Sequence, residues 1–318
     1  MAQSGDSFAE RLRRLEDAEQ IRQLNLEYRR HLDARDLDAY GRLFAEDGEW
    51  LGGTGYGKGP AGITAMLKDR LPGNPAPPGA TSWHLVTESG IDVHGDVATG
   101  TVTWALIQRG DGDTPVMRLL GHYQDTYVRE RGRWRYQRRI AHTDIPHRDL
   151  ELPAEWSAGG PAGGGEARAA GDTEARLRRL EDLEQIRQLF VEYKRVLDKQ
   201  DFAAYGALFA ADGEFVASPP QGLQQAKGPA AIQALVEAMP GSLLGSEPGA
   251  DFHVVVNPLI ELDAADQDRA RAEVTWLYVV KGHDGLPALC KLGHYDDQLI
   301  REAGRWRFLR REAPTDIG

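Results

Sequence analysis

The sequence has little cysteine, no long apolar run and no excess of positive charge. A single cysteine, Cys290, stands among 318 residues, so no disulfide within the chain is available to hold the fold. It reads as a buried, inert thiol. The first residues, Met1-Ala-Gln-Ser-Gly-Asp6, pass straight into a charged segment without the basic-then-apolar order of a secretory signal. No apolar run approaches the ~20 residues that span a bilayer, so a cytoplasmic location and no membrane partner are expected. Acidic side chains number 49 against 38 basic ones, a formal net charge of −11. That balance repels a polyanion, and no nucleic-acid partner is expected.

What the chain has in place of these is a repeat. The run Arg11–Leu24 returns as Arg176–Leu189 with only Ala18 changed, to Leu183. The echo continues in order through Tyr28 and Tyr193, Asp33 and Asp198, Asp47-Gly48 and Asp212-Gly213, and His84 and His253. It ends with Thr103-Trp104 and Thr275-Trp276, then Gly121-His122-Tyr123 and Gly293-His294-Tyr295. Such a long period means two whole domains, not a stack of small units. They are expected over 8–150 and 173–318, with a Gly/Ala-rich flexible linker over 151–172. A polar residue kept in both copies gains weight as a site candidate.

Each half opens with apolar residues at helical spacing, Leu15, Ile21, Leu24, Tyr28 and Leu32 in the first copy. The charges of this helix, including Glu16, Asp17 and Glu19, read as a solvated face. Asp36 and Asp201 are expected to cap a second helix that stops at the Asp-Gly turn. A third helix is expected to open at Gly59-Pro60 and Gly228-Pro229. From His84 onward β-branched and aromatic residues alternate, predicting strands over His84–Val93, Val97–Gln108, Val116–Arg129 and Trp134–Ala141. The order predicts an α+β domain with helices first and an antiparallel sheet after. Gly52-Gly-Thr-Gly-Tyr-Gly57 lacks the setting of a dinucleotide or phosphate loop and is expected at the rim.

Together, the helix with Tyr28 and Leu32-Asp33, the segment Asp36–Gly48, Gly59-Pro-Ala-Gly-Ile63, the His84 strand, and Gly-His-Tyr followed by Gly-Arg-Trp resemble the SnoaL-like branch of the nuclear-transport-factor-2-like superfamily. The resemblance covers both halves, about 140 residues each. It implies two tandem cone-shaped domains, each with three N-terminal helices against a curved antiparallel sheet and a cavity at the open end. Because domains of this kind pair through the outer sheet face, it also implies an intramolecular pseudo-dimer. Scytalone dehydratase and the bile-acid dehydratases of that branch are similar in using a tyrosine and an aspartate near the end of the first helix with histidines from the sheet. The matching residues are Tyr28, Asp33, His84 and His122, and in the second copy Tyr193, Asp198, His253 and His294.

These residue types suit elimination next to a carbonyl. A neutral imidazole removes a proton near pH 7, a carboxylate fixes its tautomer, and a tyrosine donates to the developing enolate oxygen. His84 is expected as general base, Asp33 as its orienter, Tyr28 as carbonyl donor and His122 as the acid that assists hydroxyl departure. His253, Asp198, Tyr193 and His294 repeat these roles. His122 and His294 share a sheet face with Gln124 and Asp296, which predicts a wet or ligand-filled concave face there. Trp50, Trp104, Phe215 and Trp276 are assigned to substrate contact. Tyr28 and Tyr193 also fit as core tyrosines, and Asp33 as a helix-end carboxylate. Two histidines with one carboxylate also make a metal triad, but no close ligand spacing accompanies them, so neither metal nor cofactor is expected. The histidines without a counterpart, His31, His94, His142, His147 and His283, are assigned to the surface. The expected function is a cofactor-independent lyase, isomerase or cyclase, preferably a dehydratase, acting on a hydrophobic carbonyl compound such as a polyketide or steroid-like molecule. The alternative is a non-catalytic protein that binds an apolar ligand or serves as a scaffold.

Overall fold

The computed structural model describes residues 7–71, 82–87, 90–153, 172–218, 224–238, 251–282 and 287–318. Most of the expected linker and His283 lie outside these. The chain divides into two compact units, one holding residues up to Gln108 and Met117–Leu177, the other Arg109–Val116 and Arg178–Gly318.

In the first domain, helix α1 (Phe8–Asp33) starts at a capping box in which Ser7 and Glu10 satisfy each other's backbone N–H groups. It buries Ile21, Leu24, Tyr28 and Leu32 and ends where Arg35 turns into the left-handed region at φ 59°. Asp36 caps the short α2 (Leu37–Gly41) by accepting from the Ala39 N–H at 3.0 Å. Then come β1 (Phe44–Gly52), β2 (Gly55–Lys58) and α3 (Gly59–Arg70). The sheet is completed by β3 (Ser82–Val86), β4 (Gly90–His94), β5 (Val97–Arg109), β6 (Pro115–Glu130) and β7 (Arg133–Ile145). Its order is β2-β1-β7-β6-β5-β3, with β4 also on β5.

The second domain repeats the plan. Helices α4 (Thr173–Asp198) and α5 (Phe202–Gly206) precede β8 (Phe209–Ser218), β9 (Gln224–Lys227) and α6 (Pro229–Glu237). Strands β10 (Asp251–Leu262), β11 (Arg269–Lys281), β12 (Pro287–Glu302) and β13 (Arg305–Ile317) follow, in sheet order β10-β11-β12-β13-β8-β9. Cys290 is half-buried against this domain's core.

The α+β plan stands, with three differences in detail. The sheets are mixed, because β1 runs parallel to β7 and β8 to β13. Two strands precede the third helix, and Asp47-Gly48 lies inside β1 at a register shift. That bulge keeps Glu46 and Asp47 at the surface while Phe44 and Trp50 stay in the core. The strand expected over His84–Val93 is two strands, β3 and β4, in the first copy. In the second it is continuous, with a break between Val256 and Leu259 where Asn257 takes φ 59°.

The first helix also differs from its expected solvated face. Asp17 is buried, paired with Arg129 at 2.6 Å and accepting from the Trp134 indole at 3.2 Å, while Arg129 also holds Asp96 at 2.8 Å. Asp182, Arg301, Trp306 and Asp268 repeat the network at 2.6, 3.3 and 2.9 Å. A buried charge is costly unless paired, which accounts for Asp17, Arg129 and Trp134 recurring together as Asp182, Arg301 and Trp306.

Candidate active site

Asp33 is the last residue of α1, and β3 passes beside it. One carboxylate oxygen lies 2.7 Å from Nδ1 of His84, and both lie 3.1 Å from the His84 backbone N–H. The carboxylate thus satisfies a backbone donor that β5 leaves unpaired and fixes the ring in the same grip. With Nδ1–H donated to Asp33, the lone pair falls on Nε2. Arg29 stands 3.7 Å from the other side of the carboxylate. In the second domain Asp198 takes both the backbone N–H and Nδ1 of His253 at 3.0 Å, and Lys194 lies 3.1 Å away. Burial pushes the Asp198 carboxyl up, but hydrogen bonds from His253 and Lys194 outweigh it and hold the group below its ordinary value.

His84 lines a cavity of about 240 Å³ together with Tyr28, Tyr40, Trp50, Trp104 and Tyr123. Asp33 stands behind it and does not line the cavity. Five residues of helix separate Tyr28 from Asp33 by ~140°, and His84 bridges the two faces. The Trp50 indole N–H donates to the Tyr28 hydroxyl at 3.1 Å, and the Tyr28 ring sits 4.6 Å from Tyr40 and 5.5 Å from Tyr123. The second cavity, about 110 Å³, is lined by His253, Tyr193, Tyr205, Phe215, Trp276 and Tyr295. There the hydroxyl of Tyr205 reaches Tyr193 at 3.3 Å, and Tyr193 reaches Tyr295 at 3.4 Å. Burial, reinforced by the neighbouring phenol, pushes Tyr40, Tyr123, Tyr205 and Tyr295 well above their ordinary pKa. These hydroxyls remain protonated donors. Sequence reasoning missed these four tyrosines, although Tyr40 and Tyr205 recur at matching positions and Tyr123 and Tyr295 lie within Gly-His-Tyr.

The two histidines of that motif are not brought to the cavities. Successive strand residues face opposite ways, so with Tyr123 inward His122 points outward. It is 39% exposed, holds Asp144 at 2.8 Å and stacks on His142 with ring centres 4.7 Å apart. His142, assigned to the surface, is half-buried by this stacking. His294 likewise holds Asp316 at 2.8 Å and does not line the second cavity. His122 and Gln124, and likewise His294 and Asp296, do share one face of the sheet, but it is the outer face and not the concave one. The glycine of the motif has a packing role, since a Cβ at Gly121 would come within 2.0 Å of the His142 carbonyl and 2.6 Å of the Trp104 ring. Among the described residues, no group of three or more His, Cys, Asp or Glu side chains is arranged to hold a metal ion.

Beneath each tyrosine cluster lies a buried arginine that sequence reasoning also missed. Arg139 pairs with Asp125 at 2.8 and 2.6 Å and has Tyr28 and Tyr123 rings each 4.0 Å from its guanidinium. Arg311 repeats this with Asp297, Tyr193 and Tyr295. Burial opposes the charge on Arg311, but Asp297 and the neighbouring phenols outweigh it and push its pKa upward. The arginine clamps the helix tyrosine to the sheet tyrosine, and so fixes where their hydroxyls stand.

The model of the SnoaL-like domain matches residues 13–140 and again 178–312. The chain belongs to the SnoaL-like domain family. Similar solved structures include an NTF2-like protein with a cystatin-like fold from Novosphingobium aromaticivorans, 28% identical over 45% of this chain and 86% of that one, TM-score 0.40. Another is ActVI-ORFA from Streptomyces coelicolor, 23% identical over 42% of this chain and 96% of that one, TM-score 0.36. A third is a type 2 hexachlorocyclohexane dehydrochlorinase (LinA), 18% identical over 44% of this chain and 88% of that one, TM-score 0.36. No curated protein matches the sequence. Among the described residues, no helix of this SnoaL-like chain is long and apolar enough to cross a membrane.

Proposed function

We propose that each cavity performs cofactor-independent acid–base chemistry on a hydrophobic carbonyl compound, with dehydration of a β-hydroxy carbonyl as the reaction. The observation that carries this reading is the His–Asp dyad facing a cluster of protonated tyrosine hydroxyls, built twice from matching residues. Nε2 of His84 takes the proton α to the carbonyl, and the electron pair moves into an enolate whose oxygen accepts from the Tyr28 cluster. Asp33 stabilises the imidazolium. The enolate then expels the β-hydroxyl, and the imidazolium returns its proton to the departing oxygen, so that water leaves, a C=C bond forms and the ring is neutral again. One histidine serves as base and then as acid, which replaces the division of labour between His84 and His122. His253, Asp198 and Tyr193 take the same roles in the second cavity. Support also comes from the apolar lining beside these groups, with Trp50 and Trp104 in one cavity and Phe215 and Trp276 in the other.

The test is incubation of the full chain with a panel of β-hydroxy ketones and thioesters while conjugated-enone absorbance is followed. Formation of the conjugated enone by the full chain is the expected result. Tight binding of such compounds with no enone formed at any pH would leave an apolar-ligand container in its place.

A further inference from the structure

The two cavities share their dyad but not the wall beside it. His253, Tyr278 and Lys291 form a row across β10, β11 and β12, since His253 pairs with Tyr278 and Tyr278 with Lys291 in the sheet register. Directly paired residues share a sheet face, and all three line the second cavity. The first copy carries Leu106 opposite His84, and Leu119 at the position matching Lys291; both line the first cavity. An apolar pair has therefore become a phenol and an ammonium. Tyr278 is 3% exposed with its ring 5.0 Å from His253, and it occupies space that the smaller leucine leaves open. The cavities follow suit, about 110 Å³ against about 240 Å³.

Lys291 is half-buried, and among the described residues no Asp or Glu lines this cavity. Among the described residues, no carboxylate is paired with it. An ammonium at the cavity wall with no carboxylate among the described lining residues favours a ligand that brings one. A single cation of this kind matches a monoanion, and the reduced volume limits its size.

We infer that the second cavity takes a small carboxylate-bearing molecule, with Lys291 as the group that recognises the anion and Tyr278 as the group that excludes larger ones. The inference rests on reading this cavity as a ligand site, as above, but it is tested by binding alone and does not depend on turnover. The first cavity has cations of its own in Arg35 and Arg148, so the two domains would differ in the size of the molecule each takes rather than in its charge.

The experiment uses the full chain with 5-fluorotryptophan incorporated, so that the fluorine signal of Trp276 reports the second cavity and those of Trp50 and Trp104 the first. Benzoate is the probe and benzyl alcohol its neutral counterpart. The expected result is that benzoate shifts the Trp276 signal with at least tenfold higher affinity than benzyl alcohol. Lys291→Leu should abolish that preference while the alcohol binds as before. The bicyclic 1-naphthoate should leave Trp276 unmoved in the parent chain and shift it in Tyr278→Leu. Equal affinity for benzoate and benzyl alcohol, unchanged benzoate affinity in Lys291→Leu, or no response of Trp276 to benzoate would each overturn the anion assignment. Binding of 1-naphthoate to the parent cavity would overturn the size limit. An unshifted signal of Trp306, in the core of the same domain but outside the cavity lining, shows that the ligand-free variants fold.

Discussion

Asp33 grips His84 twice, at the ring Nδ1 and at the backbone N–H, and Asp198 does the same to His253. A carboxylate that only capped a helix end would not need the ring, and one that only tuned the ring would not need the backbone. The double contact ties the tautomer of the imidazole to the position of an edge strand, so Nε2 is aimed by main-chain geometry as well as by a side chain.

The outward histidines give the clearest contrast. His122→Ala and His294→Ala are expected to keep turnover within about twofold, whereas loss of a general base costs on the order of 10²–10⁴-fold. Steady-state rates of the two variants check this, and a hundredfold loss in either would return the outer histidines to the mechanism.

That contrast also marks what the sequence made legible. The dyad was legible because Asp33 and His84 recur as Asp198 and His253 while neighbours such as Ala34-Arg35 and Lys199-Gln200 drift. The face of His122 was not, because alternation along a strand says which residues lie together but not which side is inward. Tyr123, the large apolar member of Gly-His-Tyr, decides the direction, and its indole-packed glycine explains the rest of the motif. Asp17 and Arg139 were hidden for a different reason. Each is charged, and only the fold reveals that Arg129 and Asp125 are there to meet them. The β1 strand was obscured by Asp47-Gly48, whose turn signature here serves a bulge.

Removing the carboxylate under the second tyrosine cluster should be expensive. Asp297→Ala strands the Arg311 charge in the core and is expected to destabilise by about 3–5 kcal/mol, the range for breaking a buried pair. Urea unfolding followed by fluorescence measures it. A loss below about 1 kcal/mol, the size of an exposed pair, would show that the arginine finds water.

Packing at the motif glycine is equally checkable. A Cβ at Gly293 would lie 2.3 Å from the Pro314 carbonyl and 2.4 Å from the Trp276 ring. Gly293→Ala is expected to destabilise by about 1–3 kcal/mol, as overpacking does. Thermal melting reads the change, and an unaltered melt would contradict the close approach.

His294 gives a stability signature with a definite sign. Burial lowers its pKa, but Asp316, Asp296 and Glu273 outweigh that and raise it above the ordinary value. A raised folded pKa gives stability that is fully present below the unfolded value of about 6.5 and is lost as pH rises through the folded value. The melting temperature of His294→Gln should therefore fall furthest below the parent near pH 5 and approach it near pH 9, as differential melts at the two pH values would show. A gap that widens with pH would reverse the assignment.

The most direct measurement is turnover of the dyad variants on a substrate found in the enone screen, with melting curves to confirm folding. If both cavities accept that substrate, Asp33→Asn with His84→Ala should remove the first cavity's share, and Asp198→Asn with His253→Ala the second's. Combining all four should leave a rate lower by on the order of 10²–10⁴-fold. If only one cavity accepts it, one pair of substitutions should suffice. A folded quadruple variant that turns over at the parent rate would contradict the catalytic role of both dyads.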